Sequence, residues 1–230
     1  GGTGTLTLSG AMSLGAGLHQ LTVDNASDTI SGVISGAGGI TKAGTGNLTL
    51  SAANTYTGGT TLSSGTLLVG NNAALGSGTL TFSGGTLASS SATARALTNA
   101  TTVTGDLTLG QASGGTGALT LSGAMDLGGS MRQITIANTT DTISGIISGA
   151  GGITKAGTGT LILTGANTYT GGTSVSEGTL RVGAGNTLPA GTDVALANTS
   201  GAVLDLNNFD VTIGSLSGGG TTGGNVTLGS

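Results

Sequence analysis

One histidine, His19, and nine scattered carboxylates are the side chains here that could carry acid–base, nucleophile-activating or hard-metal chemistry. A serine hydrolase needs its hydroxyl bonded to a histidine base that a carboxylate orients, and His19 is the one base available. It adjoins the alternating word Gln20-Leu-Thr-Val23, reads as a solvent-facing strand position, and is replaced by Arg132 at the position 113 residues later. Polysaccharide cleavage needs convergent carboxyl groups. Asp24 with Asp28 and Asp205 with Asp210 are the nearest pairs, while Asp106, Asp126, Asp141, Asp193 and Glu177 stand alone, without basic or sugar-stacking aromatic partners. The calcium-binding word Gly-Gly-x-Gly-x-Asp is absent, and the glycine-rich stretch 218–224 holds no carboxylate. In Ile40-Thr-Lys-Ala-Gly-Thr-Gly46 the lysine precedes the glycine and no helix follows, so a nucleotide phosphate loop is excluded. With no cysteine, disulfides and thiolate metal sites are excluded too. The expectation is a non-enzymatic chain with no catalytic residue, cofactor or metal.

The elements available to position any site are short. Words of four to six residues alternate with period two and end in Gly, Ser or Asn: Thr5-Leu-Thr-Leu-Ser9, Asn47-Leu-Thr-Leu50, Thr66-Leu-Leu-Val69, Asp106-Leu-Thr-Leu109 and Gln133-Ile-Thr-Ile136. Each predicts a β-strand. Helical periodicity is not sustained anywhere, and Gly and Thr at this density oppose it, so no α-helix is predicted. Forty-nine glycines would suit a disordered linker, but 36% hydrophobic residues and a net charge of only −4 do not. A single proline and the lack of a three-residue glycine period exclude collagen. Clustered Lys and Arg are missing, which argues against nucleic acid, and no apolar run is long enough for a transmembrane helix.

The chain repeats itself. Residues 1–70 align without a gap onto 114–183, a shift of 114 − 1 = 113 positions, and Ile34 to Gly46 returns unchanged at Ile147 to Gly159. This divides the chain into two periods, 1–113 and 114–230, of one continuous stacked array. The copies also report which way side chains point. Leu68 becomes Arg181 while Leu67/Leu180 and Val69/Val182 stay apolar, and Thr49 becomes Ile162 between Leu48/Leu161 and Leu50/Leu163. Alternate positions therefore face water and core. These eight aliphatic residues are the predicted core ladder.

Stackable inward aliphatics, a long period and the absence of Asn-Gly or Asp-Gly hairpin turns favour a parallel solenoid over hairpins. The predicted fold is all-β, a right-handed single-stranded parallel β-helix. At roughly 20 to 23 residues per coil a period holds about five coils and the chain about ten; at ~4.8 Å per coil this is a rod roughly 50 Å long. Between strands, Ala53-Asn-Thr-Tyr-Thr-Gly-Gly59 and Ala166-Asn-Thr-Tyr-Thr-Gly-Gly172 read as turns. Asn54 and Asn167 would satisfy turn backbone or form side-chain ladders, and Tyr56 and Tyr169 would cover the turns with their hydroxyl tips exposed.

The segments Gly38 to Gly46, Ala53 to Thr60 and Ser64 to Gly70, repeated over Gly151 to Gly183, resemble the autotransporter-associated β-strand repeat, as does the phrase Leu204 to Gly218. The resemblance implies a right-handed β-helical stalk in the passenger of a bacterial surface or secreted protein. It implies an extracellular or cell-surface location and a scaffold for adhesion or display, with a host or matrix ligand that it leaves unspecified. Gly1 stands in mid-pattern, and Leu228-Gly-Ser230 followed by another Gly1-Gly-Thr-Gly4 nearly reproduces Leu109 to Gly117. The expectation is a window from a longer array, lacking its targeting segments. The alternative is a filament or biofilm-matrix subunit making homotypic end-to-end or lateral contacts through uncapped ends; a polysaccharide-acting enzyme is the remote third.

Overall fold

Residues 4–229 of the 230 are described by a computed structural model. The junction expected between Ser230 and Gly1 to Thr3 lies outside them. Among the described residues every strand pairing is parallel and there is no helix. Parallel neighbours require a long crossover, and here each crossover is made of the strands of the other faces, so the chain winds as a three-sided solenoid.

The first face is one continuous sheet of eleven strands, from Thr7–Leu8 to Ser215–Gly218. The second begins with Met12–Leu14 and Ile34–Gly36, is interrupted, and resumes as seven strands from Arg95–Leu97 to Asn225–Thr227. The third has seven strands, from Leu18–Thr22 to Ile147–Ser148. Register partners on the first face stand between 19 residues apart (Thr49 and Leu68) and 27 apart (Leu109 and Ile136). The chain thus makes about eleven coils, against the ten anticipated from a uniform coil length.

Leu48 and Leu50 stack on Leu67 and Val69, and Leu161 and Leu163 on Leu180 and Val182. All eight are buried in one cluster that runs from Val23 to Leu204. Fully burying one such side chain is worth roughly 1.5–3 kcal/mol, and with short strands this column of aliphatics is what holds coil on coil. The outward positions carry neutral hydroxyls: Thr41, Thr61, Thr81 and Thr102 align in successive strands of the third face, half-buried.

The 113-residue shift does not close a whole number of coils. From Ser27–Ile30 the chain returns to the first face at Asn47–Leu50, Thr66–Val69, Thr86–Ser89, Leu107–Leu109 and Arg132–Ile136. It then lays Thr140–Ile143, the counterpart of Ser27–Ile30, on the second face. Five coils and one further face separate equivalent segments. Asn47–Leu50 accordingly lies on the first face and Thr160–Leu163 on the second, while Gly39–Ala43 lies on the third and Ile153–Ala156 on the first.

Candidate functional site

Asn54 and Asn167 open the loops that replace a strand, one at the second-face position of its coil and the other at the third. Each loop still pairs with the coil before it: Thr55 N–H donates to Ile34 O (2.8 Å) and Thr57 N–H to Gly36 O (3.0 Å), with Thr168 to Ile147 and Thr170 to Gly149 in the second copy. The asparagine amide extends this pairing in both directions. Asn54 Oδ1 accepts from Ile34 N–H at 2.8 Å and Nδ2 donates to Ala74 O at 2.7 Å. Asn167 Oδ1 accepts from Ile147 N–H and Nδ2 donates to Thr187 O, both at 2.8 Å. An amide carries its donor and its acceptor on separate atoms, so each buried asparagine bridges the preceding and following coils where a loop replaces the strand.

The tyrosines depart from expectation. Tyr56 and Tyr169 are 0% exposed, not turn covers with wet tips. Their hydroxyls bond Thr60 Oγ1 (2.5 Å) and Thr173 Oγ1 (2.7 Å), and burial pushes both phenols up to about 12. The loop folds its side chain inward because a ring fills the space of a missing aliphatic strand and the threonine at i+4 satisfies the hydroxyl.

A second inward polar group is a lysine. Ile40 and Lys42 share parity, and Lys42 and Lys155 are both 0% exposed. Lys42 Nζ donates to Ala43 O (2.8 Å), Gly44 O (3.0 Å) and Ser64 O (3.2 Å). Lys155 Nζ donates to Ala156 O (2.9 Å), Gly157 O (2.7 Å) and Glu177 O (3.0 Å). Each ammonium ties two coils at one corner by taking their last carbonyls. Desolvation lowers the pKa of both, to about 8 at Lys155, with Asp24 and Glu177 pulling the other way. Gly65 and Gly178 roof the corners at φ +66° and +64°; a Cβ on either would sit 2.7 or 2.8 Å from the lysine nitrogen.

The remaining charged groups do not converge. Asp141 is fully buried, its Oδ1 accepting from Leu119 N–H (2.6 Å) and Asn138 Nδ2 (2.9 Å), and burial raises its pKa. Its counterpart Asp28 is half-buried, and hydrogen bonds from Asn25 and Leu6 hold it low. Arg181 and Asp205 form the one ion pair among the described residues, 2.7 Å from Nε to Oδ2. His19 Nε2 lies 3.3 Å from Gly15 O, and no group of three His, Cys, Asp or Glu side chains able to hold a metal occurs among the described residues. No helix long and apolar enough to cross a membrane occurs among the described residues. The fully buried charged groups, Asp141 and the two lysines, bond backbone groups.

Residues 40–69 and 153–182, the stretches that hold both lysine corners and both Asn–Tyr loops, each match the family model of the passenger-associated-transport-repeat. A stretch of 116 residues is 46% identical to the adhesin BmaC autotransporter of Brucella suis biovar 1 (strain 1330); it covers 50% of this chain and 3% of that protein. No solved structure matches the chain.

Proposed function

We propose that this chain, which carries two autotransporter passenger repeats and belongs at the bacterial cell surface or outside the cell, is a non-enzymatic section of a stiff stalk that spaces or displays adhesive regions. The observation behind it is the unbroken eleven-strand first face, stacked on buried aliphatics while the chain's polar chemistry is spent on holding coils together. Its two periods, 1–113 and 114–230, act as successive lengths of one shaft. Such a shaft resists proteases, because a cleavable segment must first leave its ladder. Proteinase K digestion with mass readout checks this: a resistant core spanning most of the chain is expected. Cleavage throughout at the rate of an unfolded polypeptide, or release of sugars from a panel of acidic and neutral polysaccharides, would sink the reading.

A further inference from the structure

We propose that the interruption of the second face is a binding groove for a neutral, hydroxyl-rich ligand, a sugar, which gives the adhesive reading above its ligand class. Between Ile34–Gly36 and Arg95–Leu97 that face has no strand. The loops 53–57 and 71–77 stack there instead and leave a groove of about 640 Å³. Its donors are fixed in advance. Asn71 Oδ1 accepts from Ala73 N–H (2.9 Å) and Asn72 Oδ1 from Ala96 N–H (3.2 Å), so each Nδ2 is left with no partner among the described residues. Behind them Asn99 spends its Nδ2 on Gly76 O and Gly78 O, which turns its oxygen into the available acceptor. The exposed hydroxyls of Thr55, Ser77 and Thr98 stand at the rim.

Donors, acceptors and both-way hydroxyls at close spacing match vicinal hydroxyl groups. Ala73 and Ala96, both exposed, offer small apolar patches for the C–H faces of a ring. No charged side chain lines the groove, so nothing there compensates the desolvation of a phosphate, sulfate or carboxylate. The two donors are also not part of the scaffold's grammar. Asn54 and Tyr56 recur as Asn167 and Tyr169, yet Asn71 and Asn72 become Ala184 and Gly185.

Saturation-transfer NMR on the whole chain with maltotriose, cellotriose and diacetylchitobiose, and with sialyllactose as the charged comparison, tests the assignment. At least one uncharged sugar should receive saturation at about millimolar concentration and sialyllactose less. Ala96→Tyr fills the groove without removing a hydrogen bond and should weaken binding about tenfold or more, as should Asn71→Ala with Asn72→Ala. If the double variant fails to fold, Ala96→Tyr alone decides. Transfer to none of the uncharged sugars, or transfer unchanged in Ala96→Tyr, overturns the groove. Proteinase K digestion of the parent chain separates this from the stalk reading. A resistant chain that binds no uncharged sugar removes the groove and keeps the stalk, whereas sugar binding by a chain cleaved throughout does the reverse.

Discussion

The stacked coils that carry Leu6 and Leu8, then Asn25 and Asp28, and those that carry Leu119 and Leu121, then Asn138 and Asp141, are spelled almost alike and live in different media. Leu6 is 53% exposed and Leu8 38%, whereas Leu119 and Leu121 are buried at 0% and 1%. The difference is the neighbour: Arg95–Leu97 lies against Leu119–Leu121, and no strand among the described residues lies on the outer edge of Thr7–Leu8. The carboxylates follow suit, with burial raising Asp141 while hydrogen bonds from Asn25 and Leu6 lower Asp28. In a solenoid a residue's environment is set as much by the coil before it as by its own sequence, and its energetic weight moves accordingly.

The largest test of that contrast is truncation. Leu121→Ala should cost about 2–5 kcal/mol, and Leu8→Ala, already half in water, no more than about 1 kcal/mol, as read from urea midpoints and amide exchange of the flanking strands. Equal losses would break the comparison. Next come the lysine corners, which the two copies share: Lys42→Met and Lys155→Met should each cost about 1–3 kcal/mol by orphaning buried carbonyls. At Lys155 a pH signature should accompany the loss. Its folded pKa of about 8 lies below the ordinary 10.5, so between those values the unfolded chain holds the extra proton and stability rises with pH. Thermal midpoints should climb through that window in the parent and climb less in Lys155→Met, where only Lys42 keeps a lowered pKa.

The aspartates should respond with opposite signs. Asp141 keeps its proton to higher pH when folded, so stability falls as pH climbs above the ordinary carboxylate value; Asp28 is held low, so its contribution is present above that value and lost on acidification. Asp141→Asn should therefore leave the thermal midpoint at pH 7 unchanged or higher, and Asp28→Asn should lower it. Matching signs would show that the two sites are not distinguished by burial. The smallest effect is expected at the outer position where the copies already differ: Leu68→Arg, copying Arg181, should shift stability by no more than about 0.5 kcal/mol.

Much of this architecture can be read from alternation. Leu48, Leu50, Leu67 and Val69 hold their parity because one face of each strand meets the interior, and the tolerant positions 49 and 68 mark the other face. Parity also places Lys42 inward with Ile40, but a lysine is ordinarily read as solvated, and only the three carbonyls at a glycine corner explain how its charge is held. The tyrosine loops mislead for a related reason: turn-like composition suggests a surface, whereas the ring is needed to replace a strand's aliphatic contribution to the interior. The offset of one face between copies is not legible, because it depends on coils whose lengths range from 19 to 27 residues.

That offset has a geometric outcome for any run of such units. Each identical patch is carried around the axis like the thread on a screw, so a patch returns to its starting side only at the fourth unit. A shaft of this kind has no preferred flank; it can meet neighbours from every bearing at evenly stepped heights, where a unit of five whole coils would build a plank with one sticky side.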